Sequence, residues 1–189
     1  MSFTNLKNAE SEELENIALE QKKAASKVIE HIVSHLDLLK GDFAGFPIDR
    51  YDHCLQTATR AFRDGMDDEY VVCALLHDIG DTLAPYNHGE LAAKLLQPYI
   101  LEKNYFMIEH HGVFQGYYFW GKIGLDENAR DKYVDSPYYD YTDQFCKKYD
   151  CPSFDLDYKN MTIEEFMPML EKVISSPNNN VYSNIFKKV

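Results

Sequence analysis

The sequence predicts a single all-α, bundle-like domain. Three observations predict it. Apolar residues return at three- and four-residue intervals through most of the chain, capping residues stand where those runs begin, and no segment sustains the two-residue alternation of a half-buried strand. With 189 residues, 45% of them hydrophobic, the chain suits one compact domain and has enough apolar side chains to bury a core.

Residues 10–39 read as one long helix, with Leu14, Ile17, Ala18, Ala24, Val28, Ile29 and Ile32 at helical spacing and Gly41 ending it. A connecting loop over 41–49 leads to a second helix, capped by Asp49, running to about Arg63 and closed by Asp64-Gly65. Asp67 or Asp68 caps a third, whose stretch from Val71 to Leu76 reads as fully buried and which Gly80 terminates. After a loop over 81–86, a helix runs from His88 to about Leu96, with Asn87 and Glu90 reading as a capping box. Pro98 breaks it, and another helix covers about 101–111. Residues 112–122, rich in Gly and Tyr, show no clear period. Short helices fit 126–134 and 138–149, the second stopped by Pro152, and a last one covers about 162–175, capped by Thr162 with Glu165 three residues on. The expected organisation is an N-terminal helix over 1–40 packing on a domain over 41–175, then a loosely held tail over 176–189.

The formal net charge of −12 opposes binding to nucleic acid, where affinity comes largely from Lys and Arg neutralising phosphates. No apolar run is long enough for a membrane span, and the first residues lack a basic flank followed by an apolar stretch. The expectation is a cytoplasmic protein that binds neither nucleic acid nor membrane, a monomer or homodimer. Cys54, Cys73, Cys146 and Cys151 form no Cys-x-x-Cys pair and read as reduced thiols.

The residues with chemistry in them are histidines and aspartates. His77-Asp78 ends the buried third helix, His53 lies 24 residues upstream on the second, His88 opens the fourth and His110-His111 end the fifth. Five of the seven histidines fall within 53–111. Imidazole with carboxylate is the ligand mix of iron, manganese or zinc, whereas magnesium and calcium take oxygen ligands.

The order His53 … His77-Asp78 … His88 … His111 … Asp150 resembles the dinuclear branch of the HD superfamily. Simple HD phosphohydrolases use His … His-Asp … Asp and one metal, and the added His88 and His111 match the two-metal version. The segments His77-Asp-Ile-Gly-Asp81, Asn87-His-Gly-Glu-Leu-Ala-Ala-Lys-Leu-Leu96 and Ile108-Glu-His-His111 resemble the HD-type mixed-valent di-iron oxygenases, which include myo-inositol oxygenase and the organophosphonate-cleaving oxygenases. The similarity spans about residues 50–155. It implies an HD-domain helical bundle in which His53, His77, Asp78, His88, His111 and Asp150 hold two iron ions (Fe2+/Fe3+), with Asp78 bridging. The family pattern selects His111 over His110, and Asp150 over Asp140, Asp143, Asp155 and Asp157.

The implied reaction uses dioxygen to break a C–P or C–C bond in a small polar substrate such as a hydroxylated organophosphonate. The same ligand order also serves metal-dependent phosphohydrolases acting on a nucleotide or phosphate ester with manganese or another divalent metal. A non-catalytic binding module is a third reading, opposed by the intact ligand set. Asp81 stands where oxygenases of this kind often carry Lys or His, and is expected to bind a cationic ammonium group, to do acid/base work or to cap the turn. Lys147, three residues before Asp150, Arg60, on the helix face of His53, and Gln115, four residues past His111, are the candidate substrate contacts. The aromatics Phe114, Tyr117, Tyr118, Phe119 and Trp120 read as core first and pocket wall second. The family's substrate-clamping Tyr and Glu have no clear match near Phe43.

Overall fold

A computed structural model describes residues 3–175 and Pro177. The described residues form eight α-helices and no strand: α1 Ser11–Ala25, α2 Val28–Leu36, α3 Arg50–Arg63, α4 Asp68–Leu76, α5 His88–Leu96, α6 Glu102–Gly116, α7 Tyr139–Phe145 and α8 Ile163–Ile174. Short 3-10 turns occur at Leu6–Asn8, Asp37–Leu39, Trp120–Ile123 and Ala129–Tyr133, and a π-helical turn occupies Cys146–Asp150. No helix among the described residues is long and apolar enough to cross a membrane.

Helix α4 is the axis of the bundle. Every residue from Tyr70 to Asp81 is buried, and α3, α6 and α8 pack around it. A helix apolar on all sides has no solvent face and belongs in the centre. Asp67 starts it, its carboxylate accepting from the Tyr70 amide at 2.9 Å. The α5–α6 pair lies beside this axis, and α7 packs on α6. Leu36, Leu39, Leu75, Leu96, Phe114, Phe145 and Phe166 fill the core between them.

The long helix expected over 10–39 is broken. Ser26 Oγ donates to the Lys23 carbonyl at 2.7 Å and ends α1. No residue of α1 is buried, so no core contact holds it in line with α2, which buries Ile32 and Leu36. The fifth expected helix runs on to Gly116, further than its period showed, because its last turn packs Phe114 into the core. The helix expected over 126–134 tightens to the 3-10 turn at Ala129–Tyr133, and that over 138–149 divides into α7 and the π turn. Asn87 makes no side-chain cap, its Nδ2 donating instead to Glu90 Oε2 at 3.3 Å. The box at the start of α8 forms as expected, with Thr162 N donating to Glu165 at 2.7 Å. The tail over 176–189 lies outside the described residues apart from Pro177.

Candidate metal centre

Helix α3 carries His53 on its buried face, capped at its start by Asp49, whose Oδ1 accepts from the Asp52 amide at 2.8 Å. Helix α4 stops at Leu76, so His77 and Asp78 sit in the turn where its axis ends. His88 opens α5, and His111 lies on α6. Asp150 comes from the π turn, where Cys151 N donates to Cys146 O at 2.8 Å, a bond five residues long. Such turns widen a helix locally and shift the facing of its side chains. The loop that follows is tied to α3 by a reciprocal amide pair, Gln56 Nε2 to Asp155 O at 2.9 Å and Asp155 N to Gln56 Oε1 at 3.0 Å.

Three of the four imidazoles are oriented the same way. His53 Nδ1 donates to Ser153 O at 2.8 Å, His77 Nδ1 to Ala74 O at 2.8 Å and His111 Nδ1 to Ile108 O at 2.7 Å. A carbonyl only accepts, so Nδ1 carries the proton and Nε2 offers its lone pair. His88 reaches the same orientation by placing Nδ1 3.1 Å from Asp81 Oδ1. All four Nε2 atoms then converge. Those of His53 and His77 lie 3.2 Å apart, as do those of His88 and His111.

Asp78 divides its two oxygens between these pairs. Oδ2 lies 3.6 Å from His53 Nε2 and 3.4 Å from His77 Nε2, while Oδ1 lies 3.4 Å from His88 Nε2 and 3.1 Å from His111 Nε2. Asp150 Oδ1 completes the first half, 3.2 Å from His53 and 3.8 Å from His77. Three-donor groups with spacing suited to an ion include His53 with His77 and Asp150, and His77 with Asp78 and His111. These donors fit metal ions. Asp150 Oδ2 is buried without any hydrogen-bond partner, and two imidazole lone pairs 3.2 Å apart repel unless positive charge lies between them.

The electrostatics point the same way. Burial opposes charge on Asp78, but the imidazoles of His77, His111 and His88 outweigh it and hold the carboxyl well below its usual range. Burial opposes charge on Asp150 too, and His53 with His77 draws it down. Burial pushes His77 down to about 4 and lowers His88. For His111 burial is overcome by the Asp78 carboxylate, and the pKa rises to about 8; His53 rises beside Asp150 in the same way. The carboxylates stay charged, so the cluster presents fixed negative charge that a cation or a proton must balance.

Residues 50–136 match the HD domain family. The match covers 87 of the chain's 189 residues. No curated protein matches the chain. HD domains are generally metal-dependent enzymes, and the buried His/Asp groups of this chain could hold a metal ion. Five of the six expected ligands fall inside the matched segment, and Asp150 reaches them from beyond it.

The fold brings all six expected ligands together, but only one of the four expected substrate or catalytic residues keeps a free approach to the cavity. That cavity has a volume of about 170 Å³ and is lined by Phe46, Ile48, Arg50, His53, Asp78, His88, His111, Gln115 and Phe154. Gln115 is in its wall, and its Nε2 donates to Asp150 Oδ1 at 2.7 Å. Asp81, expected as an acid/base group, has both oxygens engaged, Oδ1 with His88 and Oδ2 with Arg50 Nη1. Arg60 does not reach the cluster. Seven residues along α3 from His53 is a rise of about 10 Å, and Arg60 instead packs its guanidinium over the Tyr158 ring at 4.0 Å, 3.9 Å from Asp155. Lys147 is exposed, because the π turn rotates it away from the face it would share with Asp150 in an α-helix. His110 packs against Tyr133 with ring centroids 4.3 Å apart, away from the donors.

Sequence reasoning missed Arg50, Phe46, Ile48 and Phe154. Arg50 was legible, since it stands three residues before His53 and shares its helix face. The two phenylalanines come from loops 108 residues apart in the chain, and no local pattern links them.

Proposed function

We propose that this chain is an HD-domain di-iron oxygenase that cleaves a C–P or C–C bond in a small polar substrate such as a hydroxylated organophosphonate. The observation that carries the reading is the cavity wall. Beyond the ligands it offers Arg50, Gln115, Ile48, Phe46 and Phe154, and none of these is a free acid or base. Arg stays protonated, and the nearest other carboxylate, Asp81, is committed to Arg50 and His88. Hydrolysis of a phosphate ester gains from a group that protonates the leaving oxygen. Cleavage with dioxygen leaves the bond-breaking chemistry to the metal pair.

When bound, two iron ions would supply dioxygen activation and electron transfer, held by His53, His77 and Asp150 on one side and His88 and His111 on the other, with Asp78 between. The chain's own residues do the rest. Arg50 brings a cation to a cavity whose one lining carboxylate is Asp78 and attracts an anionic head group. Gln115 fixes Asp150. Asp81 is a positioning residue that holds the His88 tautomer. Phe46 and Phe154 shield the cavity from water. The partners are the substrate and dioxygen, in the cytoplasm, with the chain acting as monomer or homodimer.

The test is metal analysis of protein purified with and without air, followed by oxygen-electrode measurements with a panel of hydroxylated phosphonates. The expected result is about two irons per chain, a mixed-valent EPR signal that changes on substrate addition, and phosphate released in step with dioxygen consumed. Phosphate release from nucleotides or phosphate esters with manganese, indifferent to oxygen, would make the protein a phosphohydrolase instead.

A further inference from the structure

The metal cavity opens into a second space. A chamber of about 450 Å³ is lined by Phe46, Gln115, Tyr118, Phe119, Cys151 and Phe154, and it shares Phe46, Gln115 and Phe154 with the metal cavity. The shared wall is aromatic. Phe46 stacks on Phe154 with centroids 4.9 Å apart and planes at 18°, and Phe154 stacks on His53 at 4.5 Å and 18°. No charged side chain lines the chamber. The Tyr118 hydroxyl is spent on Asp143 at 2.7 Å, leaving its ring as wall. Phe46 and Phe119 keep 45% and 40% of their surface exposed, apolar area that folding leaves uncovered.

We infer that the substrate of the metal centre is amphiphilic, with an anionic head at Arg50 and an apolar, ring-sized tail in the Phe46–Phe119–Phe154 chamber. This rests on the reading above that the metal cavity binds an anion. The inner cavity of about 170 Å³ is smaller than ligand sites usually are, on the order of 300–1,000 Å³, whereas the two spaces together reach that size. A wholly polar substrate would leave four aromatic rings facing water at the mouth of the site. The other neighbouring space, about 370 Å³ beside His88 and Gln115, includes Glu90 and Glu109 and would suit a cationic group. Those carboxylates already have partners. Asn87 donates to Glu90 at 3.3 Å, while Tyr105 donates to Glu109 at 2.7 Å and His110 lies 3.3 Å from it.

Calorimetric titration of the iron-loaded protein, kept free of dioxygen, with methylphosphonate, benzylphosphonate and 2-aminoethylphosphonate tests this. Benzylphosphonate is expected to bind at least tenfold tighter than methylphosphonate, about 1.4 kcal/mol. Phe119→Asp should remove that preference, read as the ratio of the benzylphosphonate to the methylphosphonate affinity, and Phe119→Leu should keep it; melting curves confirm that both variants fold. Equal affinities, a preference that survives Phe119→Asp, or tightest binding of the amino compound overturns the inference. If no phosphonate binds, the anion-binding reading falls and the chamber proposal with it. Failure of the oxygenase reading shows separately, as phosphonate binding without dioxygen uptake.

Discussion

At the scale of single residues, Asp78 carries the largest share of the design, because each of its oxygens faces a different pair of imidazoles. If two ions are held as proposed, unequal losses follow. His88→Ala should reduce bound metal from two ions per chain to one, since the first half keeps its own imidazoles and Asp150, whereas Asp78→Ala should empty both halves; metal content by mass spectrometry reads the difference. Asp81→Asn keeps the shape but weakens the hold on His88 Nδ1 and releases Arg50. Loss of such an outer partner typically costs about 10–100-fold in metal affinity, and a competition titration should find that loss on one ion of the two. Protons compete for the same atoms. Metal-free His111 keeps its proton up to about 8, so apparent metal affinity should fall as pH drops below that value and metal uptake should release protons. The raised folded pKa also means that this proton stabilises the metal-free fold fully below the ordinary histidine value, and that the gain fades as pH rises through about 8. His77 works oppositely, destabilising the metal-free fold as pH falls from the ordinary value towards about 4. Melting temperature against pH, with and without metal, checks both signs. At this scale the sequence was most informative where chemistry is rare: histidines and a His-Asp pair stand out in a chain, and Arg50 was readable three residues ahead of His53. Asp81 was visible as well, but its partners His88 and Arg50 were not.

At the scale of elements, the second half of the centre depends on how closely α5 approaches its neighbours. A Cβ at Gly80 would lie 2.5 Å from the His88 carbonyl oxygen, and one at Gly89 would lie 2.8 Å from the Ile108 carbonyl oxygen and 3.2 Å from His111 Cε1. Neither backbone has room to yield without moving a ligand. Gly89→Ala should therefore cost about 1–3 kcal/mol of stability through overpacking and should weaken the His88–His111 half more than the His53–His77 half. Denaturant melts joined to metal counting would show it, and an unchanged second site would mean that α5 is not held as tightly as these distances require. The π turn is the other decisive element. It presents Asp150 to His53 and turns Lys147 to solvent, reversing the expectation that the two share a face. Helix boundaries marked by caps, such as Asp49, Asp67 and the Thr162–Glu165 box, were legible because capping is a local bond. The break after Ala25, the run of α6 to Gly116 and the π turn were not, because packing against other elements sets them.

For the whole molecule, the bundle holds ionised carboxylates and imidazoles at its centre, an arrangement that costs desolvation unless an ion completes it. Metal removal should therefore lower the melting temperature. Free metal at a hundred times its dissociation constant adds about 2.7 kcal/mol to the folded state, and restoring metal should restore the transition, which thermal scans with and without chelator can follow. The −12 net charge gives the molecule a field that repels anions at long range, so an anionic substrate would associate faster at higher salt, with Arg50 acting only at short range.

By itself the sequence determined that the chain is helical, which helix is central, and which histidines and aspartates are the candidates for metal, because hydrophobic period, caps and rare ligand residues are written locally. Only the tertiary structure decided that Arg60 and Lys147 stand apart from the cavity, that Asp81 is tied to Arg50 and His88, and that Phe46 and Phe154 meet. Those outcomes depend on distances between segments far apart in the chain, and such distances are set by packing against the buried α4 axis rather than by any neighbour in sequence.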